Sequence, residues 1–158
     1  MAVHSEECFA LAQPVVPVTR DGAGRLGSAY WQEVERSTRG AVRARWTPES
    51  VELRLFGRAP ALLRFGAPEI QVDPTGISCT YPVLGGLLAR GAGGELVFEQ
   101  RRSRAWYVRA LVRDFSPRLA GRARSPGWTG FVYHQVQARL HRAIARRYVA
   151  RLVQDSLL

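Results

Sequence analysis

The stretch "YPVLGGLLARGAGGELVFEQ", residues 81 to 100, decides how the chain is read. Gly85, Gly86, Gly91, Gly93 and Gly94 crowd into ten positions, a density that suits either a phosphate-cradling loop or the bend and turn of a β-hairpin. A P-loop requires GxxxxGK[ST], but Ala92 succeeds the Gly86/Gly91 pair and the chain contains no lysine. A dinucleotide fingerprint requires GxGxxG, and "GAGGEL" ends in leucine. Immediately after the glycines the chain alternates as "ELVFEQ", which is a strand pattern and not a helical one. Residues 91–94 therefore read as a hairpin turn whose residues take positive φ, and Gly85 with Gly86 as a bulge or sharp bend inside a strand.

Outward from that hairpin the period is two. Val42, Ala44 and Trp46 alternate with Arg43 and Arg45, and Val51, Leu53 and Leu55 with Glu52 and Arg54. Leu63, Phe65, Ile70 and Val72 continue the inner row. After the turn signal "DPTG" come Ile77, Cys79, Tyr81 and Val83, then Leu96, Phe98 and Gln100, then Trp106, Val108, Ala110 and Val112. Residues 41–115 thus predict antiparallel strands with one apolar and one charged face. "CFALAQPVVPV" (8–18) is apolar but carries two prolines, which suits an edge strand or extended arm within residues 1–27. "TRDGAGRLG" (19–27) reads as a glycine-rich connector. A short helix is expected over 28–39, with Ser28 as N-cap and Gly40 just past its end.

The C-terminal segment supports a long helix over 126–154, opened by Ser125 and Pro126. Trp128, Val132, Val136, Leu140, Ile144, Tyr148 and Leu152 recur at i+4, a row that drifts by about 40° per step and suits a helix lying obliquely on a twisted sheet. The expected fold is a single α+β domain over 1–158: one short N-terminal helix and a curved antiparallel sheet of about six or seven strands wrapped around a long C-terminal helix.

At 158 residues, with 46% hydrophobic and 9% aromatic content, the chain suits a folded domain with a real core. The opening "MAVHSEEC" lacks the apolar stretch of a secretory signal, and no run approaches the roughly 18 apolar residues of a membrane span. Cys8 and Cys79 match neither a zinc spacing nor a disulfide framework, so a reduced, cytoplasmic setting is expected. All 23 basic residues are arginine, and lysine and asparagine are absent, a pattern of GC-rich coding that says little about partners. Their distribution says more: residues 1–100 carry a net charge of −1 and residues 101–158 a net of +11. Such an asymmetry suits an anionic partner, whether nucleic acid, membrane surface or acidic ligand, or else a solvated face that keeps the chain soluble.

The order of short helix, antiparallel strands and long C-terminal helix resembles the START-like helix-grip superfamily, which includes polyketide cyclase-like and lipid-transfer proteins. The resemblance covers nearly the whole chain but is one of element order, without a shared sequence motif. Members usually have a first strand before the helical segment, and many have two helices there. The resemblance implies an apolar cavity between sheet and helix that holds a hydrophobic small molecule or lipid, with no cofactor. Some members are enzymes and others are not, so a cyclase-like activity stays open.

On the inferred inner face the ligand-binding candidates are Trp46, Leu53, Phe65, Cys79, Tyr81, Phe98, Gln100 and Trp106, joined from the helix by Val136 and Leu140. Cys79, Tyr81 and Gln100 are the polar or polarizable ones, able to orient a ligand or simply to satisfy one another and the backbone in a closed core. His134 and His141 stand two helical turns apart, too far to share a metal without a ligand between them, where Gln137 and Ala138 stand instead. Carboxylates fall opposite arginines on the outer strand faces, as cross-strand ion pairs do. No sequence pattern demands catalysis. Arg139, Arg142, Arg146, Arg147 and Arg151 form the candidate anionic-surface site. Trp106, Tyr107 and Trp128 among the arginines of 101–151 supply the alternative, nucleic-acid binding by stacking and phosphate neutralisation.

Overall fold

The computed structural model describes residues 3–116 and 127–158, with side chains for 4–116 and 138–158. Among the described residues eight strands and two helices occur in the order β1 (Val3–Leu11), α1 (Arg20–Ser37), β2 (Val42–Trp46), β3 (Ser50–Leu55), β4 (Arg58–Gly66), β5 (Glu69–Asp73), β6 (Gly76–Gly85), β7 (Glu95–Arg102), β8 (Trp106–Phe115) and α2 (Gly127–Ser156). The strands form one antiparallel sheet ordered β1-β8-β7-β6-β4-β3-β2, with β5 also paired to β6. The fold is therefore α+β, with a large antiparallel sheet, a C-terminal helix and one other helix.

β6 is where the sheet divides. Its first half pairs with β5, from Asp73 opposite Gly76 to Glu69 opposite Thr80. Its second half pairs with β4, where the register slips between Arg64/Gly85 and Phe65/Val83. That slip is the bend expected at Gly85 and Gly86. Gly86 has φ of 123°, and a Cβ there would run into the backbone of Leu62 and Leu63. β6 and β7 do form an antiparallel pair, but the link is longer than a tight turn. Leu87 and Leu88 donate backbone hydrogen bonds to the carbonyls of Ala61 and Leu62, folding the link over β4 before Gly93 and Gly94 close against Val83.

The short helix begins eight residues earlier than expected, so the supposed glycine connector is its first half. Thr19 rather than Ser28 is the N-cap, its side chain accepting from the Gly22 amide at 3.1 Å. Three glycines in a helix each cost about 1 kcal/mol of propensity, and tertiary contact decides against propensity here. A Cβ at Gly27 would collide with the Tyr81 ring, so glycine lets α1 lie close on β6. Pro14 and Pro17 fall in the connection after β1, which leaves that edge strand free of proline.

α1 covers the middle of the sheet, against β2, β5, β6 and β7, whereas the sequence pattern points to the C-terminal helix for that role. In its described half α2 packs on α1 and beside β1. Its buried face there is Ile144, Ala145, Tyr148, Val149 and Leu152. Tyr30, Trp31, Phe65, Tyr81, Phe98 and Tyr148 form a connected aromatic core with ring centroids 4.6 to 6.3 Å apart. Polar ties also join the helices. Tyr148 Oη donates to the Leu26 carbonyl at 2.9 Å, and Arg151 Nε meets the buried Glu33 carboxylate at 3.0 Å.

Candidate functional site

The inner row of the sheet is apolar along its centre, and α1 seals most of it. Beyond the C-terminal half of α1 the seal stops, because Thr38 ends the helix by bonding the Val34 carbonyl and the Val42 amide, turning the chain into β2. β3, β4 and the bent end of β6 run side by side below. Between them and α2 lies a cavity of about 330 Å³, open to solvent on one side. Its volume is at the lower end of the range for small-molecule sites, roughly 300–1,000 Å³. Tyr30, Trp31 and Val34 of α1 form one wall. Leu53, Leu63 and Phe65 form the floor, with Val83, Leu96 and Val112 beside them. Leu140, His141 and Ile144 of α2 close the far side.

Leu53, Phe65 and Leu140 are the sequence candidates that line this cavity. Leu140, 50% exposed, stands at its rim. Cys79, Tyr81, Phe98 and Gln100 do face inward, but they lie in the closed core and not in the cavity wall. Gln100 is fully buried and fully used: its Oε1 accepts from the amides of Val15 and Val16 at 2.8 and 3.1 Å, and its Nε2 donates to the Val16 carbonyl at 2.9 Å. It fastens the β1–α1 connection to β7. Burial pushes the Cys79 thiol up to about 11, which removes it as a thiolate nucleophile near neutral pH. Trp46, 48% exposed at the end of an edge strand, and Trp106, half-buried opposite Leu11 and Arg102, stand away from the cavity. Val136 lies outside the described side chains, as do Trp128, Val132 and His134.

Most of the lining residues do not stand out in the sequence as site candidates, Tyr30, Trp31 and His141 among them. Tyr30 and Trp31 have the spacing of ordinary packing residues, and His141 suggests only a metal ligand when paired with His134. Tyr30 Oη lies 3.2 Å from His141 Nδ1. Burial lifts the Tyr30 phenol well above its usual range, so it stays protonated. Burial also lowers the His141 pKa, against the pull of the Glu7 carboxylate, so the imidazole is neutral at physiological pH. His141 Nε2 and Trp31 Nε1 are buried without a hydrogen-bond partner among the described residues. Those residues contain no cluster of three or more His, Cys, Asp or Glu suited to a metal.

Five of the 13 arginines in residues 101–158 are paired within the fold itself. Arg101 pairs with Asp73 and Glu99, Arg109 with Glu6 and Glu99, and Arg113 with Glu95. Arg142 pairs with Glu7 and Arg151 with Glu33. Every one of those acids belongs to residues 1–100, so part of the asymmetry seen along the chain is compensated in space. Among the surface candidates Arg139, Arg146 and Arg147 remain exposed on α2 with no acidic partner among the described residues.

No protein-family model, curated protein or solved structure matches this chain. Among the described residues no helix is long and apolar enough to cross a membrane.

Proposed function

We propose that this chain is a binding domain of the START-like helix-grip kind, which holds a hydrophobic small molecule or lipid between its sheet and its helices. The observation that carries the reading is the solvent-open, almost wholly apolar cavity of about 330 Å³ beside an otherwise densely packed aromatic core. Empty apolar surface of this kind forfeits dispersion contacts and hydrophobic burial, which an apolar ligand restores at about 25 cal/mol per Å². The order of elements supports the same reading.

The test uses N-phenyl-1-naphthylamine, an uncharged probe that fluoresces in apolar sites. Wild-type protein should bind it saturably, one molecule per chain, and Leu63→Trp, which fills the floor, should weaken binding at least tenfold while the fold persists by circular dichroism. Absence of saturable binding, or equal affinity in L63W, would contradict the proposal.

A second reading concerns the outer face of α2. Arg139, Arg146 and Arg147 project from the same helix as Leu140 at the cavity rim, which suits a domain that meets an anionic membrane at the point where a lipid-like ligand enters. Arginines near such a surface contribute about 1 kcal/mol each, screened by salt, so three support only reversible attachment. Nucleic-acid binding draws on the same charge but loses Arg101, Arg109, Arg113, Arg142 and Arg151 to ion pairs, and its aromatics Trp106 and Tyr107 are half-buried.

A further inference from the structure

Resting on that reading of the cavity, we infer that its ligand carries a single neutral oxygen head group, a hydroxyl or ketone on an apolar body, received by Nε2 of His141. Among the described residues the polar groups of the wall are few, and most are committed. Thr38 Oγ1 bonds the Val34 carbonyl and the Val42 amide, and Glu95 pairs with Arg113 at 3.2 Å. Trp31 packs edge-on against the Tyr81 ring at 5.3 Å, and its Nε1 is a donor without a partner among the described residues.

Trp31 Nε1 can only donate, whereas the Tyr30–His141 pair can offer either role. A neutral imidazole has one N–H for two nitrogens. If Tyr30 Oη donates to Nδ1, Nε2 carries the hydrogen and is a donor without an acceptor. If Nδ1 donates to Tyr30 Oη, Nε2 is a bare acceptor and the phenol O–H is free to donate elsewhere. Either way Nε2 is left unpaired in an apolar wall, an arrangement that costs about 1–3 kcal/mol until something pairs with it. A ligand hydroxyl satisfies both tautomers, since it donates and accepts, and a ketone satisfies the first. A carboxylate is disfavoured because it would lose its hydration in an apolar site near the Glu7 carboxylate, whose field reaches the ring. Arg142, which pairs with Glu7 at 3.1 Å, softens that repulsion without supplying a cation to the cavity. The apolar walls set the body of the ligand, and His141 sets its one polar end.

The experiment displaces N-phenyl-1-naphthylamine with 1-nonanol, 2-nonanone, nonane and nonanoate, in wild type, H141F and H141Q. His141→Phe should weaken 1-nonanol and 2-nonanone about tenfold and leave nonane unchanged. His141→Gln, which keeps a donor and an acceptor at that position, should restore most of the loss for 1-nonanol. In wild type, the ring nitrogens of His141 read by long-range 1H–15N spectra should shift on addition of 1-nonanol and stay in place with nonane. If H141F alters all four competitors by the same factor, or none, or if nonanoate competes best, the head-group inference is wrong while the cavity reading stands. If none of the probe and competitors binds to wild type, both are wrong.

Discussion

Gln100 and His141 are both polar side chains on buried faces, and they differ in whether their hydrogen bonds are made. Gln100 satisfies three backbone groups of the β1–α1 connection. Gln100→Leu leaves two amides and a carbonyl buried without partners and should lower unfolding stability by about 2–4 kcal/mol in urea titration, with cavity binding retained. An unchanged midpoint would contradict the role assigned to it. For His141 the prediction concerns pH. Its folded pKa lies below the value of about 6.5 in an unfolded chain. Between those two values the unfolded state binds more protons, so stability rises with pH there and is lost as pH falls below about 6.5. H141F should flatten that part of the pH–stability curve, and parallel curves for variant and wild type would contradict it. The sequence puts Gln100 on the correct face because alternation reports facing. It does not report whether a facing residue meets a partner or a void, and for that reason Cys79, Tyr81 and Phe98 read like cavity residues and lie in closed core instead.

The elements are legible wherever one pattern runs undisturbed. The strands from 41 to 115 and the helix expected at 126 emerge from periods of two and 3.6 and from turn signals at their ends. The structure places that helix at Gly127–Ser156. The start of α1 is hidden, since Gly22, Gly24 and Gly27 weaken a helical pattern whose justification, the close approach to Tyr81, is tertiary. Its role is hidden too, because no local signal says which helix covers the sheet centre. Two variants test these packing claims. Gly86→Ala forces a side chain onto the Leu62–Leu63 backbone at a φ that disfavours it, and should cost about 1–3 kcal/mol by thermal or chemical denaturation. Arg151→Leu removes the nearer cation of a Glu33 carboxylate that is only 3% exposed, leaving it the Ser37 hydroxyl and Arg36 at 4.0 Å. The half-exposed arginine tempers the effect, so a loss of about 1–2 kcal/mol is expected, larger than for Arg147→Leu, which breaks no ion pair. Equal losses in the two variants would show that Glu33–Arg151 does not tie the helices.

Across the whole molecule the charge asymmetry takes on a different meaning from the one it has along the chain. Glu6 and Glu7 of β1, Glu33 of α1 and Glu95 of β7 lie against arginines of β8 and α2, so long-range ion pairs use charges that a linear count leaves unmatched. In the membrane-docking reading, attachment depends on Arg139, Arg146 and Arg147, and replacing these three by glutamine should reduce sedimentation with anionic vesicles and not with neutral ones. Replacing Arg142 and Arg151 instead should act mainly on stability. Vesicle binding that ignores both salt and these substitutions would contradict that assignment. The measurement that bears most directly on the central claim is 13C-methyl NMR of the wild-type protein titrated with N-phenyl-1-naphthylamine. The account predicts that methyls of Leu53, Leu63, Val83 and Ile144, which line the cavity, shift together and saturate at one equivalent, while those of Ile77 and Val108 in the closed core stay in place. Shifts spread over the surface, or none at the cavity methyls, would contradict it.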